Sequence, residues 1–489
     1  MALTRGKQFG LALGVAALLL LVFVDSPLQR HAQFGAQPAR AAGVAALMAI
    51  WWLTDALPIS VTASAPLVLF PLFGVFGTGI IHNLTETVSA YFDPYNFLFA
   101  GGMCIAAAMQ QCQLHRRIAL SIMNAVGTAP ARLLLGVLVA TAFISLWISN
   151  TATATMMMPI GLAMILQLEA QLGGRRLEFY GAAVMLAIAY ASNLGGIGTK
   201  IGTAPNAQFT GFMHGLGIEV SFLQFLLVGF PFVMMFLPLT WYMLWRIGRV
   251  DHLPKQFGAT VIQEELRKLG PIKNSERAVF VVFLATAAMW IFGKLLTSFV
   301  QAQFPAAKFS SAHVEGGIAM LAAITLLLLR VEKRQTLEWR SLRFVSWESL
   351  LLLGGGFAMA AGIQKSGLSE WMGTQLAGMR NLTPFLQVLL TSVSTVSLSA
   401  VATNTATIAV MLNVLKDAVA PEMLTTVLFT ATIAASCDFA LPAGTPPNAI
   451  VFGSGYITIP RMAKTGVVLD LAAAVVAAVW CWLIVRVVL

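Results

Sequence analysis

The sequence predicts an all-α polytopic membrane protein built from two inverted repeats. Three observations lead there: an apolar composition, basic residues that alternate along the chain, and polar motifs that recur at a fixed distance. Of the 489 residues, 58% are hydrophobic and 10% are charged, where a soluble domain carries about a quarter charged residues. A hydrocarbon core of about 30 Å takes roughly 20 apolar residues per helix. Apolar runs recur throughout, as in Phe9 to Val24, Phe222 to Trp245, Ala278 to Phe299, Gly316 to Leu329 and Val467 to Val487. The longest polar stretch, Arg246 to Arg277, is long enough for a loop with one short amphipathic helix and no more. The function is therefore expected inside the membrane.

The net charge of +10 does not mark a nucleic-acid binder, because the basic residues lie scattered in short loops instead of along one stripe. Topology accounts for them. Arg5 and Lys7 precede the first apolar run, and Asp25-Ser26-Pro27 follows it where a cleavable leader would have a small-x-small site. This reads as an uncleaved first span with its N-terminus in the cytoplasm of a bacterial inner membrane. One crossing per span then collects 21 of the 30 Lys and Arg on the inner side: Arg5 and Lys7, Arg116 to Arg132, Arg175 and Arg176, Arg246 through Lys255 to Arg277, Arg330 to Arg343, and Arg461 with Lys464. That is the positive-inside pattern. The C-terminus falls outside, and the count comes to about eleven full crossings plus two re-entrant hairpins. Charge parity alone does not separate a hairpin from two full spans. The cysteines Cys104, Cys112, Cys437 and Cys481 lie in or beside apolar runs without metal-ligand spacing, and read as small buried residues.

The repeat decides the hairpins. Phe99-Ala100-Gly101-Gly102 through Gln110 aligns with Leu353-Gly354-Gly355-Gly356 through Gln364, and Ser149-Asn150-Thr151-Ala152-Thr153 aligns with Thr403-Asn404-Thr405-Ala406-Thr407, both at an offset of 254 residues. Each copy continues into a second loop, Gly202-Thr203-Ala204-Pro205-Asn206-Ala207 and Gly444-Thr445-Pro446-Pro447-Asn448-Ala449. The charge pattern has the first Asn-Thr motif approached from the cytoplasm and the second from outside, so the repeats are inverted. The expected organisation is a span and loop over 1–45, a first repeat over 46–245, a cytoplasmic connection over 246–277 and a second repeat over 278–489. The first repeat holds a re-entrant hairpin at about 132–170 and a broken helix at about 178–215, and the second holds a hairpin at about 384–420 and a broken helix at about 425–456.

Irregular backbone at membrane depth is tolerated only where protein buries it or it lines a cavity. A helix that starts at a hairpin tip offers unpaired N–H groups to an anion, and the carbonyls freed by a broken helix can replace the water around a hard cation. Gly202 and Gly444 allow unusual backbone conformations, and Pro205 and Pro447 suit a helix start. Taken singly, such motifs serve equally as packing and capping residues; in two symmetric pairs they point to an ion site.

These motifs, together with Trp51-Trp52-Leu53-Thr54-Asp55-Ala56-Leu57-Pro58 and the run Leu441 to Phe452, resemble the divalent-anion:sodium symporter family, which includes INDY-type dicarboxylate carriers. The resemblance covers nearly the whole chain. It implies a homodimer whose subunits each have a scaffold part and a mobile transport part moving like an elevator, carrying succinate, fumarate, malate or another dianion with sodium. It also implies a first sodium site of Ser145, Ser149, Asn150 and Gly202 and a second of Ser399, Ala402, Asn404 and Gly444. The substrate carboxylates would meet Asn150, Thr151, Thr203, Thr403, Asn404, Thr405, Thr445 and Pro446. No organic cofactor and no catalytic residue is implied.

Three positions depart from the family pattern. Thr403 stands where Ser is usual, and Lys200 and Asp438 are charged where uncharged residues are expected. A charge at the bilayer centre costs about 2.5–3.5 kcal/mol on insertion scales, so such residues are functional candidates. Lys200 is expected to supply positive charge near the anion or replace one sodium, with Asp438 as its counter-ion. The structural alternative is that Lys200 reaches water or pairs elsewhere. No nucleotide-binding motif or soluble domain supports an ATP-driven pump, and Asp417, Asp438 and Asp470 have no catalytic motif around them. A channel of the same architecture, a sodium-independent exchanger using Lys200, and a symporter of sulfate or another inorganic dianion are the remaining alternatives.

Overall fold

The computed structural model describes all residues except 1–4, 32, 252, 254–258, 376 and 443. Lys255 of the basic connection and Ala443 of the second Gly-Thr loop lie outside the described residues. The chain is nearly all helical. It begins with α1 (Arg5–Phe23), α2 (Gln37–Leu53), α3 (Ile59–Ala63), α4 (Ala65–Phe73), α5 (Ile80–Tyr91), α6 (Pro94–Gln111) and α7 (Leu114–Val126). There follow α8 (Pro130–Ser145), α9 (Asn150–Gln171), α10 (Glu178–Ile197), α11 (Ala204–Gly215), α12 (Phe222–Gly248) and the short α13 (Ala259–Leu269). The second half comprises α14 (Asn274–Ile291), α15 (Gly293–Gln303), α16 (Ser311–Leu328), α17 (Trp347–Lys365), α18 (Leu368–Gln375) and α19 (Ala377–Arg380). It ends with α20 (Pro384–Ser399), α21 (Asn404–Ala418), α22 (Leu424–Ala435), α23 (Pro446–Phe452) and α24 (Ile459–Val488). One two-residue hairpin, Arg330–Val331 against Arg334–Gln335, follows α16.

The outer surface suits lipid. Ile81 and Val487 are each 81% exposed and Leu328 is 75% exposed, in company with many other large apolar side chains. In water such a surface would drive aggregation, whereas against acyl chains it carries no penalty. Among the described residues, seven helices are at least 18 residues long and apolar enough to cross a membrane unaided, or eight if the pair Ile80–Gln111 and Leu114–Val126, bent by 75°, counts as one span. The chain is thus a multi-pass membrane protein. The shortfall from about eleven expected crossings falls on shorter apolar helices, namely Ile59–Phe73, Pro130–Ser145, Pro384–Ser399 and Pro421–Ala435. A helix interrupted by a polar break does not register as one long apolar helix.

Among the described residues, three apolar cores form inside. The largest joins α8 to α12 with α20 to α24. A second gathers α6, α14 and α16 with Phe222, Leu353 and Phe357, and a third gathers α1, α2, α4 and α17. At the centre of the first core stands α10, buried at every residue from Tyr180 to Ile197. Its small residues let neighbours approach: a Cβ on Gly195 would overlap the Ala142 backbone of α8. The same device holds α6 to α16, where a Cβ on Gly101 would overlap the Ala319 backbone and one on Gly316 would press on Pro94 O. Small residues at the crossing are how helices pack where no hydrophobic force acts between them.

Gly101→Val is therefore expected to lower the apparent melting temperature of the detergent-solubilised protein, at an overpacking cost of about 1–3 kcal/mol. Gly317→Val, one residue along α16 but facing open space, is the control expected to leave it unchanged. Equal melting temperatures for the two variants would refute the packing account.

Candidate cation and anion site

Four connections at helix ends carry the candidate residues. The turn Leu146–Ser149 links α8 to α9, and Ala400–Thr403 links α20 to α21. The breaks at 198–203 and 436–445 interrupt α10/α11 and α22/α23. Each break is held by one asparagine in the first turn of the following helix. Asn206 Nδ2 lies 2.8 Å from Gly196 O and 2.7 Å from Thr199 O. Asn448 Nδ2 lies 3.0 Å from Leu441 O and 3.3 Å from Asp438 O. The side chains thus replace N–H donors that a continuous helix would have provided. The first break is also tied to the first turn, since Thr199 Oγ1 donates to Leu146 O at 2.5 Å.

The same oxygen cluster occurs twice. Ser145 Oγ lies 2.6 Å from Ser192 O and 3.0 Å from Asn150 Oδ1. Ser399 Oγ lies 2.7 Å from Ala435 O and 3.0 Å from Asn404 Oδ1. A hydroxyl has one proton, so it can serve only one of its two acceptors at a time. Each cluster is consequently richer in oxygen lone pairs than in protons. That donor set, uncharged and all oxygen, suits a hard cation with oxygen ligands. Among the described residues no group of three or more His, Cys, Asp or Glu is arranged to hold a metal.

The first cluster is joined to the second break. Asn150 Nδ2 lies 3.3 Å from Thr203 Oγ1 and 3.5 Å from Asn193 Oδ1. Asn193 Nδ2 in turn lies 3.0 Å from Thr445 Oγ1 and 3.3 Å from Asp438 O. Asn193, fully buried on α10, is thereby the bridge between the halves, and sequence reasoning missed it. Its signal was present: an amide in the apolar run from Ala182 to Leu194 has to be hydrogen-bonded.

Helix starts supply donors beside these clusters. The side chain of Ser149 makes no capping bond at the start of α9, which leaves that turn's N–H groups available to an anion. At α21 the Thr403 hydroxyl accepts from Ala406 N at 3.3 Å, so one donor there is occupied. Asn404 is 9% exposed, Thr203 8% and Thr445 3%, whereas Thr151 and Pro446 are exposed and Thr405 is half-buried. Gly202 is buried beside Ser145 O and Gly196. Ala402 is buried and Ser149 half-buried, and neither makes a side-chain bond to the clusters.

Lys200 stands apart from this network, and its expected counter-ion is corrected. Lys200 Nζ lies 2.7 Å from Glu315 Oε2, with both side chains fully buried. Asp438 has no side-chain partner on either carboxylate oxygen among the described residues. The reason is directional: Lys200 extends from the first break toward α16, over the ring of Tyr95 at 5.1 Å, whereas Asp438 faces Gly444 across the second break. Glu315 also accepts from Phe222 N at 2.7 Å, at the start of α12, and Glu219, just before α12, accepts from Ser311 N at 3.0 Å, at the start of α16. Each helix start thus takes a carboxylate from the other side. The sequence signal for Glu315 was an acid one residue ahead of the apolar run Gly316 to Leu329.

A buried pair is costly to break from one side and cheap to replace whole. Lys200→Met or Glu315→Leu alone is expected to destabilise the protein by about 3–5 kcal/mol, and the double variant far less. Thermal unfolding of the four proteins tests this; additive single losses would show that the pair does not act as a unit.

Residues 8–488 match the family model described as the sodium:sulfate symporter transmembrane region. The sodium-dependent dicarboxylate transporter SdcS of Staphylococcus saprophyticus is 35% identical over 485 residues, 96% of this chain and 90% of that protein. SdcS of Staphylococcus aureus strain USA300 is 35% identical over 491 residues, 97% and 90% of the two chains. The YdaH transporter of Alcanivorax borkumensis has a similar fold, with a TM-score of 0.56 at 15% identity over 82% of this chain and 88% of that one. MtrF of Neisseria gonorrhoeae gives a TM-score of 0.56 at 14% identity over 83% and 84%. With the family model spanning almost the full length and relatives matching end to end, the chain belongs to the divalent-anion:sodium symporter family.

Proposed function

We propose that this protein is a secondary active transporter that takes up small divalent anions, C4-dicarboxylates such as succinate, fumarate and malate, together with sodium. The observation that carries the reading is the duplicated Ser–Asn–carbonyl cluster, Ser145 with Asn150 and Ser192 O, and Ser399 with Asn404 and Ala435 O. The relatives' description as sodium-dependent dicarboxylate transporters supports the choice of ions.

In this reading sodium binds at Ser145, Ser149, Asn150 and Gly202 and at Ser399, Ala402, Asn404 and Gly444. The carboxylates of the substrate meet Asn150, Thr151 and Thr203 from one half and Thr403, Asn404, Thr405, Thr445 and Pro446 from the other. Sodium and the dianion need each other: two cations offset the substrate's charge in a medium of low dielectric, and the first-turn N–H groups of α9 and α21 add donors. Because Asn150 and Asn404 take part in both sets, loss of sodium displaces the amides that meet the substrate, which couples the two. Alternating access would come from the helices of the first core, acting as a transport part, sliding as an elevator against the scaffold of the other two cores in each subunit of a homodimer in a bacterial inner membrane. The inverted arrangement of 46–245 and 278–489 gives two equivalent end states. The process makes and breaks no covalent bond, so the protein needs neither catalytic residue nor organic cofactor.

Compensation of Lys200 by Glu315 argues against the exchanger in which Lys200 substitutes for sodium. Uptake of labelled succinate into proteoliposomes is expected to require an inward sodium gradient, with choline inert and without internal dicarboxylate. Uptake driven only by internal dicarboxylate would overturn symport, and sulfate competing better than succinate would reassign the substrate. Asn150→Ala and Asn404→Ala are each expected to cut sodium-driven uptake by about tenfold or more, since each removes an oxygen ligand and leaves buried partners unpaired. Wild-type rates in either would exclude that half of the site.

A further inference from the structure

The two breaks differ at one matched position. The residue six before Gly202 is Gly196, and the residue six before Gly444 is Asp438. In both halves this residue lies across the break from the later glycine. A Cβ on Gly202 would meet the Gly196 backbone, and a Cβ on Gly444 would overlap the Asp438 carboxylate. In the first half, a Cβ on Gly196 would run into Asn150 Oδ1. A side chain at this position therefore projects toward the oxygen cluster, and only in the second half is there one.

Asp438 is 0% exposed, and neither Oδ1 nor Oδ2 has a side-chain partner among the described residues. The backbone N–H of Ala440 faces both this carboxylate and that of Asp470. Asp470 is itself buried and accepts from Phe439 N at 2.9 Å, and it offers no cation to this carboxylate. Lys200, the obvious cation, is committed to Glu315. Two further oxygens in the same segment, Ser436 Oγ and Asn448 Oδ1, are also buried without partners. A buried carboxylate with no cationic side chain and unpaired oxygens around it lacks a positive charge.

Resting on the sodium-coupled reading, we infer that Asp438 supplies a carboxylate ligand to the cation site at the second break, so that this site is anionic while its counterpart at the first break is built from uncharged oxygens alone. The backbone of Asp438 is held for the task by Asn193 and Asn448, and glycine at 444 leaves the carboxylate room. The two cation sites are then unequal. The second is the tighter and fills first at low sodium. Through Asn193, which reaches Asp438 O and Thr445 on one side and Asn150 on the other, its occupancy orders the first.

The test is a sodium titration of the full-length protein, choline replacing sodium, read both by thermal stabilisation in detergent and by succinate uptake in proteoliposomes. Asp438→Asn keeps the shape and removes the charge. It is expected to raise the sodium concentration for half-maximal response at least tenfold in both readouts, or to leave a single low-affinity phase. If that variant does not give monodisperse protein, Asp438→Ser carries the same expectation. An Asn or Ser variant that titrates like the wild type, as it would if Asp438 were protonated, overturns the inference while leaving sodium coupling intact. A wild-type protein whose stability and uptake ignore sodium overturns the coupling itself and this inference with it.

Discussion

A helix that breaks inside a membrane must find partners for the backbone groups it releases, and the rest of this structure follows from how that is done. At each break one asparagine amide binds the freed carbonyls, Asn206 in the first half and Asn448 in the second. The amide has two protons and the breaks expose more oxygens than that. Beside each break a serine hydroxyl, a second asparagine and a carbonyl near the end of the preceding helix, Ser192 O or Ala435 O, form an oxygen cluster of the kind that suits a hard cation.

Charge is distributed unevenly across this arrangement. Lys200 and Glu315 cancel each other at the contact between the first break and α16, where they link the largest core to the second. Such a pair fixes geometry more than it adds stability. Here it joins the break, the start of α12 and the α6/α16 packing through Glu315, which serves Lys200 and Phe222 N at once. Asp438 is the opposite case, a buried carboxyl group without a side-chain partner.

Much of this was legible from residues. The turns between α8 and α9 and between α20 and α21 were marked by Ser149-Asn150-Thr151 and Thr403-Asn404-Thr405, polar residues between apolar helices, and the breaks by Gly202 and Gly444 with Pro at the following helix start. The internal offset of 254 residues linked the halves without reference to any structure. What could not be read was direction. A side chain's partner depends on which way the break turns, so Lys200 was matched to Asp438 by charge alone, and Glu315 was overlooked because it borders an apolar run. Asn193 lay in no motif, and its bridging role arises only when α10 is packed against the second break.

The measurement that tests the account most directly is a cryo-EM map of the protein in lipid nanodiscs with sodium and succinate, compared with one in choline. The account predicts cation density within ligand distance of Ser145 and Asn150 and of Ser399 and Asn404, with the dianion beside both asparagines, all absent in choline. Dianion density seated instead in the 330 Å³ cavity lined by Glu86, Asp93, His214, Lys365 and Lys416, with the two Ser–Asn clusters unchanged between the maps, would contradict it.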